Sequence, residues 1–231
     1  MVERSIHLVG SIPCENAEDG MRLALSKNGH YLRTLSDGEA GGEWIIPIIR
    51  SLRENPSISV QAEGDWSSYK NVLVLRVRRG AKLKADSLDF GRVALFEESY
   101  PLFQKLREEY QQPDLAYQVS IAGDLDVALL SMGMQGALRH RSVFAEETIR
   151  EIRAIQTKAH GDVVFQLELP IELVLVTKMP GFLQSAVSRF LARKVLRLVK
   201  EAPAGTRFGV HLCLGDLHNQ ALGRMRTTAP W

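Results

Sequence analysis

The 231-residue chain reads as an α/β protein in which parallel strands are covered by helices. Three observations predict this class. Short apolar runs alternate along the chain with longer segments of helical spacing. The runs are bounded by glycine, proline or acidic turns. Polar residues cluster just beyond the runs, where the carboxyl ends of parallel strands bring loops and helix amino termini together.

The elements follow in order. Residues 5–11 (SIHLVGS) predict a short strand ending at a glycine turn. Residues 17–27 (AEDGMRLALSK) predict a helix, with acids early and lysine late to suit the helix dipole, stopped by Gly29. Residues 31–35 (YLRTL) suit a second strand, and residues 36–39 (SDGE) a turn. Residues 43–53 predict a helix that Pro47 interrupts or starts late. The stretch 56–92 differs in texture. Its runs SISVQA and VLVLRV predict an inserted hairpin or elaborated loop after the second unit.

A helix is expected over 97–110, with Pro101 near its first turn, then a strand over 115–121 and a short helix over 125–130. Residues 144–160 predict an amphipathic helix through Ile149, Ile152 and Ile155, ended by Gly161. Residues 163–169 (VVFQLEL) predict a strand closed by Pro170. Residues 181–200 predict a helix with a basic outer face, and 206–212 the last strand. Long basic side chains commonly cover the outside of a packed helix, although a basic amphipathic helix can also meet a membrane or a partner. Five core strands are countable, and no G-x-G-x-x-G follows any of them.

Composition bounds the function. The chain is 45% apolar and 24% charged, with a formal charge of +2, which does not suggest nucleic acid as a partner. Two cysteines, Cys14 and Cys213, make no disulfide framework. With no signal-like start, a cytoplasmic location is expected. No apolar run reaches membrane-spanning length, so no membrane partner is expected either. A single domain over 1–231 is expected.

The strand ends supply the candidate site residues. His211 and Cys213, two apart at the end of a strand, would point to one face. An imidazole and a thiolate are good zinc ligands, but two cannot complete a four-coordinate site. The pair reads equally as a buried histidine satisfied through one ring nitrogen beside an inert thiol. His218 reads as a surface residue, and Asp216 as a helix cap or as a partner for His211. Glu168 interrupts an apolar strand, so it needs an amine, a cation or solvent to offset its desolvation. Glu39 sits in an Asp-Gly turn. Ser11, after Gly10, could offer a hydroxyl and backbone N–H groups to a carboxylate.

Taken together, these positions resemble the catalytic domain of cobalamin-independent methionine synthase, in the superfamily that also holds uroporphyrinogen decarboxylase. HLVGSIP is similar to the family's G-S-[FY]-P segment, DGE to its H-G-E, QLELP to its Q-[IL]-D-E-P, and HLCLGD to its H-[MV]-C-[YW]-[SG]-[DE]. The resemblance implies a (β/α)8 TIM-barrel type of fold, of which about five strands are present. It implies substrate binding by Ser11, Glu39 and Glu168, and zinc ligation by His211 and Cys213. The implied activity is methyl transfer to a small thiol, in which an amino-acid thiol meets a methyl donor.

Departures from the family bear on the reaction. Q-x-D-E-P has become Q-L-E-L-P, and the histidine of H-G-E is Asp37. The family's other zinc ligands, a glutamate and a second cysteine from later strands, have no counterpart. The alternatives are a superfamily enzyme without metal-dependent methyl transfer, closer to the decarboxylases, and a non-catalytic assembly partner. An open barrel edge would favour self-association or a complementing chain.

Overall fold

The computed structural model describes residues 4–9, 12–39 and 44–225. Its centre is a parallel sheet of β1 (Thr34–Leu35), β4 (Ala116–Ala122), β5 (Val163–Glu168) and β6 (Arg207–His211), in that spatial order. The sheet strands thus keep their sequence order across the sheet, and every neighbouring pair is parallel. The segment around Ile6 extends the sheet beyond β1 through one parallel bridge to Leu32. The strand expected over 5–11 is therefore extended chain with a single β-bridge to the sheet, and Gly10 and Ser11 lie outside the described residues.

A two-stranded antiparallel sheet, β2 (Ile58–Ala62) and β3 (Val74–Val77), forms the inserted hairpin expected within 56–92. The helices are α1 (Ala17–Asn28), α2 (Ile46–Leu52), α3 (Arg92–Glu109), α4 (Asp124–Lys158), α5 (Pro170–Lys178) and α6 (Gly181–Glu201). No helix among the described residues is long and apolar enough to cross a membrane.

Strand alternation divides the sheet into two faces. Tyr117, Val119 and Ile121 of β4 and Val163, Phe165 and Leu167 of β5 point into a core shared with α1, α3, α4 and α6. Phe103, Ile152 and Phe165 are completely buried there. Each such side chain contributes about 1.5–3 kcal/mol of transfer free energy. Gln118, Gln166, Glu168 and His211 occupy alternate positions and so belong to the opposite face, which is polar. A second core lies under the hairpin, where Ile58 and Leu75 meet Ile49, Leu52 and Phe144. A buried ion pair, Arg92 to Glu151 at 2.7 Å, joins the start of α3 to α4.

Several expected boundaries move. The two helices expected over 125–130 and 144–160 are one run, α4, broken only at Gly133, whose φ of 66° suits glycine. Pro101 lies within α3, which begins a turn earlier than expected, at the left-handed Gly91. Pro170 does close β5, but it also opens α5, a helix over the β-branched stretch IELVLVT. Three features override that low propensity: proline in the first turn, the Ile171 N–H held by Asp126 Oδ1 at 3.1 Å, and burial of residues 170–174.

Candidate functional site: a hydrogen-bonded polar face across the strands

The polar face of the sheet carries a continuous row of side chains. Thr34 Oγ1 donates to Gln118 Oε1 at 2.7 Å, and Gln118 Nε2 donates to the Leu8 carbonyl at 3.2 Å. His7 lies 3.2 Å from Thr34 Oγ1 through Nδ1, and its Nε2 donates to Gln166 Oε1 at 2.7 Å. Gln166 Nε2 donates both to the Val9 carbonyl and to Glu168 Oε1, each at 2.6 Å. Glu168 Oε2 then accepts from His211 Nδ1. The ladder register places Glu168 directly opposite His211.

This row answers how a carboxylate survives in an apolar strand. Glu168 is only 6% exposed. Its two oxygens take an amide N–H and an imidazole N–H, which offsets the cost of removing it from water. His211 is correspondingly raised, to about 10, by a side-chain hydrogen bond with Cys213 and by the bond to Glu168, against the effect of its own burial. At neutral pH the His211 imidazole is therefore held in its protonated form.

Cys213 lies two residues past the end of β6, close enough to act on the His211 imidazole. The loop carrying it is held by the inserted hairpin. Tyr69 Oη accepts from the Leu217 N–H at 3.0 Å, and the His218 ring lies 3.0 Å from the Trp66 carbonyl. A Cβ at Gly215 would come within 2.5 Å of Tyr69 Oη, so only glycine lets the phenol approach. Burial raises the Tyr69 pKa, and the nearby Asp216 and Cys213 add to that. No helix follows Asp216 among the described residues, so it caps none. His218 is exposed, as expected.

Glu39 stands apart from this cluster. It lines a cleft of about 770 Å³ together with Glu15, Glu18, Asp37 and Glu98. Glu168, His211 and Cys213 do not line that cleft, but Gln118 does, so the polar row borders it. Glu39 has φ 48°, a left-handed conformation uncommon for a non-glycine residue, and its N–H donates to Asp37 Oδ1 at 3.0 Å. Burial raises the Asp37 carboxyl above its usual range, and Glu98 adds to this, while the Glu39 N–H opposes it. Ser11 lies outside the described residues.

Of the expected residues, the fold thus brings Glu168, His211 and Cys213 together and leaves Glu39 at a neighbouring cleft. Sequence reasoning missed His7, Thr34, Gln118 and Tyr69. Thr34 and Gln118 sit on strands and His7 on the extended segment beside β1, a signal that was present but unspecific. Tyr69 comes from the insertion, whose docking no local pattern announces.

No family model matches the chain, nor does any curated protein or solved structure.

Two groups bear on metal binding. Among the described residues, one acidic trio, Asp89, Glu147 and Glu151, brings a ligand oxygen from each within 4.8 Å of the others and could hold a metal ion. Arg150 already takes both oxygens of Glu147, and the Arg92 backbone N–H and guanidinium take those of Glu151. His211 and Cys213 are the softer donor set. Glu168 on Nδ1 is the arrangement in which a carboxylate fixes the orientation of a metal-ligating imidazole, leaving Nε2 as the nitrogen not spent on Glu168. The pair fits half of a zinc site by donor chemistry.

Proposed function

We propose that the chain is an enzyme-like α/β protein resembling the cobalamin-independent methionine synthase core, and that it directs methyl transfer to a small thiol. In this reading the β1-β4-β5-β6 sheet, with the Ile6 segment beside it, is the first part of a (β/α)8 barrel. The observation that carries the proposal is the pairing of Glu168 with His211 at the carboxyl ends of adjacent parallel strands, with Cys213 beside them in the loop that follows.

His211 and Cys213 would hold zinc. A zinc ion there would keep an acceptor thiol deprotonated near neutral pH. Glu168 orients the His211 ring, and Gln166 holds Glu168 in turn. This revises the role that the resemblance implies for Glu168. Its oxygens already hold Gln166 and His211, so it acts as a positioning residue rather than as a hook for a substrate ammonium. Glu39, beside Asp37 in the acidic cleft, keeps the role that the resemblance implies for it, facing that ammonium. The raised pKa of His211 implies that metal binding releases a proton from the imidazole.

Metal content after incubation with zinc and gel filtration tests the proposal. Zinc should be retained by the intact chain and lost in His211→Ala and Cys213→Ser. Affinity should fall about 10- to 100-fold in Glu168→Gln. A folded chain that retains no zinc would overturn the metal assignment. Thiol-dependent demethylation of a methyl donor tests the reaction itself.

A further inference from the structure

Below the polar row, three acids and one arginine meet where two strands hand over to helices. Asp124 and Asp126 lie in the first turn of α4, just after β4, and Glu172 lies in the first turn of α5, just after β5. Asp126 is completely buried, and Asp124 and Glu172 nearly so. Arg141 binds Asp124 through Nε and Nη2, and its Nη2 also reaches Glu172 Oε1 at 3.4 Å. Asp126 Oδ1 accepts the Ile171 N–H at 3.1 Å.

One oxygen on each of two carboxyl groups is then left over. Asp126 Oδ2 and Glu172 Oε2 are buried and meet no N–H or O–H donor. The two carboxyl groups are close enough for each to act on the other, and a single arginine faces three buried acids. Two ionised carboxyl groups, both acceptors only, could not satisfy those oxygens. A proton on one of them would supply the missing donor. From these contacts we infer that Asp126 and Glu172 share a single proton, which clamps the first turn of α4 to the first turn of α5 and makes the floor of the polar face pH-sensitive.

Charge supports the clamp. The facing charged groups are Asp124 and Arg141, both on α4. With the proton in place the four groups sum to −1. Without it they sum to −2 in a site closed to water, and the two unpaired oxygens repel. Burial, with the charge of Asp124 next, raises Glu172 to about 7, and burial with the charge of Glu172 raises Asp126 well above its usual range. The clamp is coupled to the polar face through the backbone. The Gly123 N–H donates to the Glu168 carbonyl at 3.0 Å, and the Leu169 N–H to the His211 carbonyl at 3.0 Å. A Cβ at Gly123 would fall 2.5 Å from Asp126 Oδ2, so a side chain there would have to displace that carboxyl group. The inference does not depend on what the Glu168–His211–Cys213 cluster binds.

The sign follows from linkage. The folded value lies above the unfolded one, so the stabilisation is complete below about pH 4.5 and is lost as pH rises to about 7. The contribution of this one proton to the folding equilibrium falls about tenfold per pH unit in that window. Chemical denaturation of the whole chain at several pH values should show this slope. Glu172→Gln and Asp126→Asn, whose amides replace the shared proton by a permanent donor, should lack it. An unchanged slope in both would overturn the inference. Should either variant fail to fold, infrared difference spectroscopy on the unmodified protein decides. A buried carboxylic acid C=O band should be present at pH 6 and absent at pH 9. Its absence at pH 6 would show both groups ionised and the clamp nonexistent.

Discussion

Glu168 Oε2 and His211 Nδ1 lie 2.5 Å apart, across a ladder whose register pairs the two residues directly. The separation in sequence is long, but the physical link is one rung. The nearby Cys213 side chain and then this bond raise the imidazole, whose folded value of about 10 exceeds its ordinary 6.5. The stability that the raised imidazole contributes is complete below pH 6.5 and is lost as pH rises through 10. Glu168→Gln should bring the His211 titration, followed by NMR, back toward the ordinary range. It should also remove on the order of 2 kcal/mol at pH 7, as expected for a hydrogen bond between charged groups. A His211 titration unchanged by the substitution would refute the pairing.

Zinc should distinguish the two cysteines. Both are partly buried. Cys14 packs against Gly20 and Gly38, with its sulfur 2.9 Å and 3.2 Å from where their Cβ atoms would lie. Alkylation of Cys213 by iodoacetamide should slow when zinc is added, while that of Cys14 should not change. Mass spectrometry of the labelled peptides reads the difference. Equal rates with and without metal would count against ligation by Cys213.

The Arg92–Glu151 pair should be costly to break and cheap to replace. Both side chains are nearly inaccessible, at 6% and 3% exposure. Arg92→Met or Glu151→Leu alone strands a buried charge and should cost about 3–5 kcal/mol. The double substitution should recover most of that loss, because neither charge then needs a partner. Urea unfolding of the three variants gives the coupling.

At the other end of the sheet, Asp162 receives the Tyr100 hydroxyl at 2.6 Å and Arg107 Nη1 at 2.5 Å. Against its own burial, these two bonds and the Arg107 charge hold its carboxyl below the usual 3.8. The contribution is present above that value and is lost as pH falls through the depressed one. Asp162→Asn should flatten the acid limb of the stability profile and cost about 1–3 kcal/mol at pH 7.

Gly64 should tolerate no side chain. A Cβ there would lie 2.3 Å from the Val72 carbonyl carbon, so the turn of the inserted hairpin would have to open. Gly64→Ala should destabilise by about 1–3 kcal/mol, the cost of forcing a group into a filled space. Gly80→Ala, at a position with open surroundings but φ 81°, separates backbone strain from that collision.

Most of the fold was legible because strand and helix periods differ. Residues 17–27 and 181–200 became α1 and α6 with ends shifted by one residue. The inserted hairpin was visible as two β-rich runs about a glycine turn. What the local pattern could not reach was set by distant contacts. Helix α5 forms from residues of strand propensity because Asp126 caps it from another element. The helix across 131–143 was hidden by Gly133 and Gly136, which lower helical propensity without preventing it. In the site, the i,i+2 spacing of His211 and Cys213 suggests two strand positions. The strand ends at His211, and Cys213 lies in the loop beyond it. That Glu39 and Glu168 serve different surroundings could not be inferred from a motif. It depends on β1 pairing with β4 only through Thr34 and Leu35.

That short pairing has a mechanical consequence. β4 and β5 are matched over six residue pairs and β5 and β6 over five, but β1 and β4 over only two. The sheet tapers like a wedge, and its thin seam runs beside β1. Under tension applied through the segment preceding α1, that seam should yield first, while the thicker part carrying Gln166, Glu168 and His211 stays assembled. A pulling experiment should therefore register an early, low-force extension before the main rupture.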